Sequence, residues 1–180
     1  KLPFMKWIFI PFSVFLFTSC GSNASNTNAD GAVKDSTGEM PAVKTAEVNY
    51  TADTMHCRGY IAYEENRKGK LPIVVVVHDW WGLTDYVKTR AKQLAALGYF
   101  AMDADMFGEG RIAATPAEAM ALTKPYYANP ALAKTRLDAA IAKAKTFRQA
   151  DSSKVAAIGY CYGGFVVLNA AKLGDAVKGT

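Results

Sequence analysis

The pattern of apolar and polar positions divides the chain into candidate strands and helices. Segments rich in β-branched and aromatic residues predict five strands, at Thr45–Thr51, His56–Tyr63, Ile73–Val77, Tyr99–Ala104 and Val155–Tyr160. The first two are separated by a short polar turn, which predicts an antiparallel edge hairpin. Ile73–Val77 is an unbroken run of β-branched residues, and such a run suits a strand that is covered on both faces.

Helical periodicity fills the intervals between these strands. Thr84 is a candidate cap for a helix with one apolar face, and Gly98 stands where a helix-ending glycine belongs. The capping-box spacing from Thr115 to Glu118 predicts the start of a short helix. Asn129-Pro130 begins a longer helix, whose apolar stripe continues to about Ala150.

Strands that alternate with helices predict an α/β fold. We expect a mostly parallel sheet with helices on both faces and the antiparallel hairpin at its N-terminal edge. Sites in such sheets lie at the carboxyl ends of the strands. His78–Trp80 and Tyr160–Cys161 each end a strand and are expected at the same edge. Ala176–Val177 resembles the start of a further strand, so C-terminal strands of the sheet are expected to be missing.

The first nineteen residues have the composition of a secretory signal peptide. Lys1 and Lys6 precede an uncharged apolar stretch, Trp7–Phe17, which is too short to span a bilayer. Small residues directly before Cys20 resemble a bacterial lipoprotein signal, in which that cysteine is lipidated and becomes the N-terminus. Plain secretion without lipidation is the alternative, and Met5 is an alternative start of the chain.

Residues 20–43 are rich in Ser, Asn, Thr, Gly and Ala and contain almost no large apolar side chain. Such a segment cannot bury enough apolar surface to fold, which predicts a flexible polar tether. Residues 44–180 then form the folded domain. The combination predicts an exported, membrane-anchored lipoprotein that faces the periplasm or the cell surface of a bacterium.

Composition limits the classes of function. With 51% hydrophobic residues, the 180-residue chain has enough apolar content for one folded domain. Its net charge of +5 is modest and spread along the sequence, without a basic run interleaved with aromatics, so nucleic acid is not an expected partner. The two histidines, His56 and His78, lack a nearby cysteine or acid cluster, so no metal or other cofactor is predicted.

A glycine-rich turn, Gly159–Gly164, follows the last predicted strand and opens a helical pattern from Phe165 to Leu173. Small residues on both sides of a nucleophile, at a tight strand-to-helix turn, are typical of a nucleophile elbow. Here the nucleophile is Cys161, and the helix N-terminus directs free N–H groups and a positive dipole end toward the thiol. The alternative is an ordinary glycine-rich turn around a small buried cysteine.

The glycines of this turn carry a prediction of their own. We expect Gly159 and Gly163 to stand where neighbouring backbone leaves no room for a Cβ. Gly164 is expected to widen the clearance where the helix packs on the sheet.

Four segments, taken in order, resemble the dienelactone hydrolase family of the α/β-hydrolase fold over residues 45–180. They are Val74–Leu83, Leu97–Tyr99, Asp105–Gly110 and Ile158–Gly164. Each alone is a weak signal, but the ordered set is specific. The resemblance implies a C-terminally truncated, α/β-hydrolase-like domain that hydrolyses ester or lactone bonds of small molecules, as a carboxymethylenebutenolidase does, without a cofactor.

The resemblance also implies a role for each residue at a matched position. Cys161 attacks the ester or lactone carbonyl, and the resulting acyl-enzyme is hydrolysed. The backbone N–H groups of Trp80 and Tyr162 hold the oxyanion. Asp79 matches an acidic residue, usually glutamate, that lies beside the resting thiol and disfavours the thiolate. Capping of the following loop is the alternative role of Asp79.

Substrate contacts follow the family pattern less closely. The family holds a substrate carboxylate with arginines, and Glu109 stands near the offset of one of them, with Arg111 two residues further on as its substitute. Trp81 is expected to contact the substrate in an aromatic pocket with Trp80, Phe107 and Tyr162. One or two of these four residues could instead pack under loops. His78 matches a structural position, so a role as the base is not expected.

A cysteine hydrolase of this fold needs a histidine base and an orienting acid, and both follow the nucleophile in the chain. Only nineteen residues follow Cys161; none is histidine, and the single acid, Asp175, comes too early. We therefore expect a fragment of a longer family member or a degenerate one. A non-catalytic binding module is the alternative function. Cys57 and Cys161 are expected to be free thiols.

Overall fold

The computed structural model describes residues 42–174 and 177–180 of the chain. The predicted signal peptide, the lipidation site at Cys20 and all but the last two residues of the predicted tether lie outside the described residues, as does Asp175. Among the residues that are described, no helix is both long enough and apolar enough to cross a membrane.

Five strands form one mixed sheet in the order β1-β2-β4-β3-β5. The strands are β1 (Val43–Ala52), β2 (Met55–Glu64), β3 (Leu71–Val77), β4 (Phe100–Ala104) and β5 (Ala150–Gly159). The predicted hairpin is confirmed, because β1 pairs antiparallel with β2, which also pairs antiparallel with β4. β3 lies between β4 and β5 and is parallel to both. The prediction of a mostly parallel sheet therefore holds only for the β4-β3-β5 half.

Four helices follow the strands at the predicted intervals. They are α1 (Asp85–Ala96), α2 (Pro116–Ala128), α3 (Pro130–Lys145) and α4 (Tyr162–Lys172). At the start of α2 the Thr115 hydroxyl accepts the N–H of Glu118, whose carboxylate accepts the N–H of Ala114. Thr84 stands at the N-cap of α1 without a side-chain hydrogen bond, and Gly98 follows that helix with φ of 94°.

Side chains of β3 alternate between two apolar layers. Ile73, Val75 and Val77 pack in the core that includes residues of α3 and α4, whereas Val74 and Val76 pack with Val87 of α1. All five strand residues are buried. Each contributes about 1.5–3 kcal/mol to stability by its burial. The unbroken apolar run thus reflects a strand with helices on both of its faces, as predicted.

The boundary between α3 and β5 differs from the prediction. The helix expected to reach about Ala150 ends at Lys145, and β5 begins at Ala150 rather than at Val155. Ala150 pairs with Leu71, and the ladder is irregular between Pro72 and Ile73. Because the polar segment 152–154 is exposed at this irregular end of the strand, it carries no apolar pattern that would mark it.

The strand predicted at Ala176–Val177 is not formed at Val177, and Ala176 lies outside the described residues. The residues after it nevertheless run beside β5. The N–H of Lys178 donates to the carbonyl of Val155 at 2.6 Å, and the N–H of Ala157 donates to the carbonyl of Gly179 at 3.1 Å. These two bonds cover part of the outer edge of the sheet.

Candidate active site

Cys161 occupies a tight turn between β5 and α4. β5 ends at Gly159 and α4 begins at Tyr162, and Cys161 is the N-cap of the helix with φ of 54° and ψ of −111°. A non-glycine residue at positive φ stores roughly 1–3 kcal/mol of backbone strain. The side chain is exposed. The turn therefore has the geometry of a nucleophile elbow, and the alternative of a buried cysteine is wrong.

Two of the three glycine predictions are confirmed. A Cβ on Gly159 would lie 2.1 Å from the carbonyl carbon of Gly163, and a Cβ on Gly163 would lie 2.3 Å from the carbonyl oxygen of Val77. Neither backbone atom can move aside without disturbing the sheet or the helix. A Cβ on Gly164 would meet only the carbonyl oxygen of Gly159, at 3.5 Å. This is an ordinary contact, so the expected clearance role of Gly164 is wrong.

The elbow lies directly against the end of β3. The N–H of Tyr160 donates to the carbonyl of Val77 at 3.2 Å, and Gly163 sits close to the carbonyls of Val77 and His78. The loop that follows β3 is therefore adjacent to the turn that carries Cys161, as the rule for parallel sheets predicts.

Two backbone donors flank this junction. In the part of the chain that the structure describes, the N–H groups of Trp80 and Tyr162 donate to no protein acceptor. Tyr162 is the first residue of α4, where N–H groups are left without intrahelical partners. Both groups are thus free to bind an anion that forms beside the thiol.

Asp79 binds its own loop. Its Oδ1 accepts the N–H of Trp81 at 2.8 Å, and its carbonyl accepts the N–H of Gly82 at 3.5 Å. This is the loop-capping role that the sequence left open. A position of the carboxylate beside the thiol of Cys161 stays a prediction.

His78 is a structural residue of the site. It is fully buried, and its Nδ1 lies 2.5 Å from the carbonyl of Asp79 while its Nε2 accepts the N–H of Met106 at 3.3 Å. Because Met106 donates to Nε2, the ring proton is on Nδ1. Burial lowers the pKa of His78, which keeps the ring neutral. With both nitrogens engaged, His78 joins the loops after β3 and β4.

The predicted substrate contacts lie on these two joined loops. The N–H of Ala113 donates to the carbonyl of Trp81 at 2.9 Å, and Gly82 forms an isolated β-bridge with Ile112. Arg111 is exposed beside this bridge. The ring centroid of Trp81 is 5.1 Å from that of Trp80, and both rings are partly exposed. The structure therefore brings Trp80, Trp81 and Arg111 into one loop pair.

Other aromatic residues of the predicted pocket are instead packed beneath the elbow. Phe107 and Tyr162 are 4% and 1% exposed, which leaves neither ring surface for a substrate. Their ring centroids are 5.9 Å apart, and His78 and Tyr126 complete the cluster. Burial raises the pKa of the Tyr162 phenol. Tyr162 thus supports the turn with its ring and presents only its backbone N–H.

Asp105, which sequence reasoning did not single out, organises the loop after β4. Its carboxylate is fully buried and accepts four backbone N–H groups at 2.8–3.1 Å, from Arg58, Phe107, Gly108 and Gly110. The signal available in the sequence is an aspartate followed by glycines three and five positions on, a spacing that favours a tight loop around a carboxylate. This loop carries Glu109 and Arg111.

Cys57, the other thiol among the described residues, differs from Cys161 in its burial. Cys57 is 2% exposed, and burial raises its pKa to about 11. The two cysteines that the structure describes, Cys57 and Cys161, are both free. Within residues 42–174 and 177–180, no three His, Cys, Asp or Glu side chains are grouped as a metal site.

Comparisons with known proteins agree with this geometry. The model of the dienelactone hydrolase family matches residues 57–180. A protein of Methylorubrum extorquens described as a candidate carboxymethylenebutenolidase is 29% identical over 112 residues, which are 61% of this chain and 38% of that protein. A protein of Synechocystis sp. with the same description is 30% identical over 147 residues, which are 77% of this chain and 57% of that protein.

A solved structure has the same fold. The crystal structure of a dienelactone hydrolase-like promiscuous phosphotriesterase from metagenomic libraries superposes with a TM-score of 0.72 at 35% identity, over 75% of this chain and 56% of that one. The chain therefore spans between four and six tenths of the length of these relatives. Since the family model covers most of the sequence and the elbow geometry accompanies it, the chain belongs to the dienelactone hydrolase family.

Proposed function

We propose that the whole protein hydrolyses ester or lactone bonds of small molecules, with Cys161 as the nucleophile. The observation that carries the proposal is the exposed thiol held at φ of 54° at the N-terminus of α4. Strain of this kind persists only where the surrounding structure imposes it, and at an elbow it lifts the reactive atom clear of the backbone. Family membership adds the expectation of hydrolase activity.

The proposed reaction has two stages. The Cys161 thiol gives its proton to a general base of the whole protein as Sγ forms a bond with the carbonyl carbon and the carbonyl electron pair moves to oxygen, and the base later returns the proton to the leaving alcohol. The resulting oxyanion accepts hydrogen bonds from the N–H groups of Trp80 and Tyr162. Collapse of this intermediate breaks the bond to the alcohol, which takes a proton as it leaves. Water then cleaves the thioester, releasing the acid and restoring the thiol.

Asp79 has two parts in this proposal. We propose that its carboxylate lies beside the resting thiol, as the acidic residue at the matched position of the family does, and moves aside when substrate arrives. Its hydrogen bond to the N–H of Trp81, at 2.8 Å, also holds the loop that presents the Trp80 donor. The proton acceptor of the reaction is assigned neither to His78, whose ring nitrogens are both engaged, nor to Asp79.

Trp81 and Arg111 are proposed to bind the substrate. An aromatic ring and an exposed guanidinium on joined loops suit a small ester or lactone with a planar or anionic group. Glu109 is paired with Arg58 at 3.8 Å, which leaves Arg111 as the cation without an acidic partner in the described part of this loop.

The location of the protein is also a proposal. We propose that Cys20 is lipidated after export and anchors the domain to a membrane, on the basis of the signal-like segment before it. Membrane fractionation tests this assignment. The intact protein should stay with membranes that are washed in about 1 M salt, and the same wash should release a Cys20→Ser variant into the soluble fraction, because salt screens electrostatic attachment but not a lipid anchor.

Steady-state hydrolysis of an activated ester and a small lactone by the whole protein tests the proposed reaction. Cys161→Ala should abolish turnover, and the matched variant Cys57→Ala should retain it, since Cys57 is buried away from solvent. Circular dichroism confirms that each variant is folded. Turnover that survives Cys161→Ala contradicts the assignment. Tight binding of these compounds without turnover by the folded wild type would instead support the non-catalytic binding module.

A further inference from the structure

The edge of the sheet opposite the candidate active site carries a concentration of positive charge. Two segments meet there, the turn at 64–70 between β2 and β3 and the stretch 143–154 that leads into β5. The N–H of Leu71 donates to the carbonyl of Gln149 at 2.7 Å, which joins them. The two segments contain seven cations and three acids, a net charge of +4. We call this surface the basic edge; its cations are Arg67, Lys68, Lys70, Lys143, Lys145, Arg148 and Lys154.

The acids of the basic edge are already paired. Glu64 binds Arg67 at 3.3 Å, Asp151 binds Lys154 at 3.3 Å, and Glu65 binds Lys44 at 2.5 Å. In the described part of the chain, four exposed cations of the edge have no acidic partner; they are Lys68, Lys70, Lys145 and Arg148. Charge that is spread along the sequence is therefore gathered by the fold into one uncompensated surface.

A shallow cavity lies within the basic edge. It has a volume of about 410 Å³ and is lined by polar and charged groups of both segments, among them Arg67, Lys70 and Arg148. Guanidinium and ammonium groups that converge on an open, polar hollow can each donate to phosphate oxygens. The surface is suited to anionic phosphate headgroups rather than to an apolar partner.

The basic edge and the candidate active site lie at opposite ends of the parallel strands. β3 runs from Leu71 at the basic edge to Val77, whose carbonyl binds the elbow, a rise of about 20 Å. The chain enters the domain at Val43, opposite Glu64, and is therefore also at the basic edge. A lipid on Cys20 would therefore be joined to the domain from the side of the basic edge.

We propose that the basic edge binds the anionic phospholipids of the membrane and orients the domain with the Cys161 edge toward solvent. Neither the affinity of this surface for anionic lipid nor the orientation that follows from it depends on the proposed lipid anchor. A lysine or arginine near an anionic leaflet changes the partition coefficient about fivefold, within a Debye length of roughly 8 Å. The unpaired cations together then suffice for salt-sensitive attachment.

Sedimentation with vesicles tests the affinity without the anchor. The full chain carrying Cys20→Ser should bind vesicles of phosphatidylcholine with phosphatidylglycerol and not vesicles of phosphatidylcholine alone. Lys68→Gln/Lys70→Gln should lower the partition coefficient about 30-fold. The matched double variant Arg111→Gln/Lys124→Gln changes the net charge equally at exposed positions away from the basic edge and should lower it less than about threefold.

Thiol labelling on the vesicles tests the orientation. A membrane-impermeant maleimide should modify the exposed Cys161 as fast on bound protein as in solution, while Cys57 stays protected. Four results would each overturn the proposal. On the side of affinity, they are equal losses of binding in the two double variants, equal binding to neutral vesicles, and tighter binding to duplex DNA than to vesicles. On the side of orientation, it is protection of Cys161 on the vesicles. None of these measurements uses turnover, so a failure of this proposal can be distinguished from a failure of the proposed hydrolase activity.

Discussion

Cys161 holds a backbone conformation with φ of 54° that glycine adopts far more readily, at a position where the chemistry needs a side chain. The strain is imposed from both sides. Gly159 and Gly163 let the strand and helix backbones approach within distances that exclude any Cβ, so the residue between them is pushed outward. The outward position of this residue is thus determined by its two small neighbours.

Gly163→Ala should destabilise the domain, whereas Gly164→Ala should not. At Gly163 the new methyl would lie 2.3 Å from the carbonyl oxygen of Val77, and such overpacking costs about 1–3 kcal/mol. At Gly164 it would lie 3.5 Å from its nearest neighbour, and alanine in a helix is favoured by about 0.5–1 kcal/mol. Urea unfolding of both variants measures the difference. Equal stabilities would show that the elbow relaxes freely.

Asp103 of β4 is a second residue whose surroundings are unusual. It is fully buried, and neither carboxylate oxygen has a hydrogen-bond partner in the described part of the chain. Burial raises its pKa well above the usual value, an effect that Lys88 only partly offsets. A raised pKa favours the protonated form in the folded state.

The stability of the domain should therefore fall with rising pH through Asp103. Below the unfolded-state pKa of about 3.9 both states are protonated. Above it the unfolded state loses its proton first, so each further pH unit removes about 1.4 kcal/mol from the free energy of unfolding until the folded-state pKa is passed. Urea unfolding from about pH 4 to pH 8 should show this loss in the wild type and not in Asp103→Asn. Parallel pH profiles would contradict the assignment.

At the scale of elements, the loop after β4 is held by a single carboxylate. Asp105 accepts N–H groups from three residues of its own loop and from Arg58 of β2. The N–H of Asp105 in turn donates to the hydroxyl of Tyr50 on β1, at 2.9 Å. The loop that carries Arg111 is therefore anchored to the N-terminal hairpin, and its shape depends on elements distant in sequence.

Asp105→Ala should unfold this loop first and cost about 3 kcal/mol or more, because four buried donors lose a charged acceptor. Hydrogen exchange should report faster exchange at Phe107, Gly108 and Gly110. The control is Glu109→Gly, which removes only an exposed ion pair with Arg58 and relieves a φ of 56°. Its stability should change by less than about 1 kcal/mol. A larger loss in the control would contradict this account.

Local sequence patterns predicted most of the strands and helices, but not all of their boundaries and pairings. The apolar run at Ile73–Val77 and the capping box at Thr115 each involve only a few consecutive residues, so the sequence predicted the strand and the start of the helix. The start of β5 at Ala150 was not predicted, since it depends on the pairing of Ala150 and Asp151 with Leu71 and Pro72, and the exposed polar residues 152–154 interrupt the apolar pattern. The antiparallel pairing of β2 with β4 likewise depends on tertiary packing, and it makes the sheet less parallel than predicted.

At the scale of the whole molecule, only part of the candidate site could be predicted from neighbouring residues in the sequence. The glycine-rich turn and the rule for strand ends placed Cys161 beside the β3 loop. The burial of Phe107 and Tyr162 could not be predicted, because it depends on how α2 closes over the elbow with Tyr126 and Tyr127. Nor could the position of Asp105, whose fourth donor comes from β2.

The two thiols should differ in reactivity across the folded domain. Cys161 is exposed, whereas Cys57 is 2% exposed and has its pKa raised to about 11 by burial. At about pH 8 only about one Cys57 thiol in a thousand is ionised. In a chain that carries Cys20→Ser, brief treatment with iodoacetamide should therefore alkylate Cys161 alone, and both Cys57 and Cys161 after unfolding in urea. Equal labelling in the native protein, measured by peptide mass spectrometry, would contradict the described burial.

The central claim, that Cys161 is the nucleophile of a hydrolase, is tested most directly by locating the acyl group. The whole protein is mixed with p-nitrophenyl acetate, quenched in acid within the burst of p-nitrophenol release, and digested for mass spectrometry. We predict one acetyl group per protein, on the peptide that contains Cys161, present in Cys57→Ala and lost in Cys161→Ala. An acetyl group on another residue, or a burst that persists without the Cys161 thiol, would contradict the account.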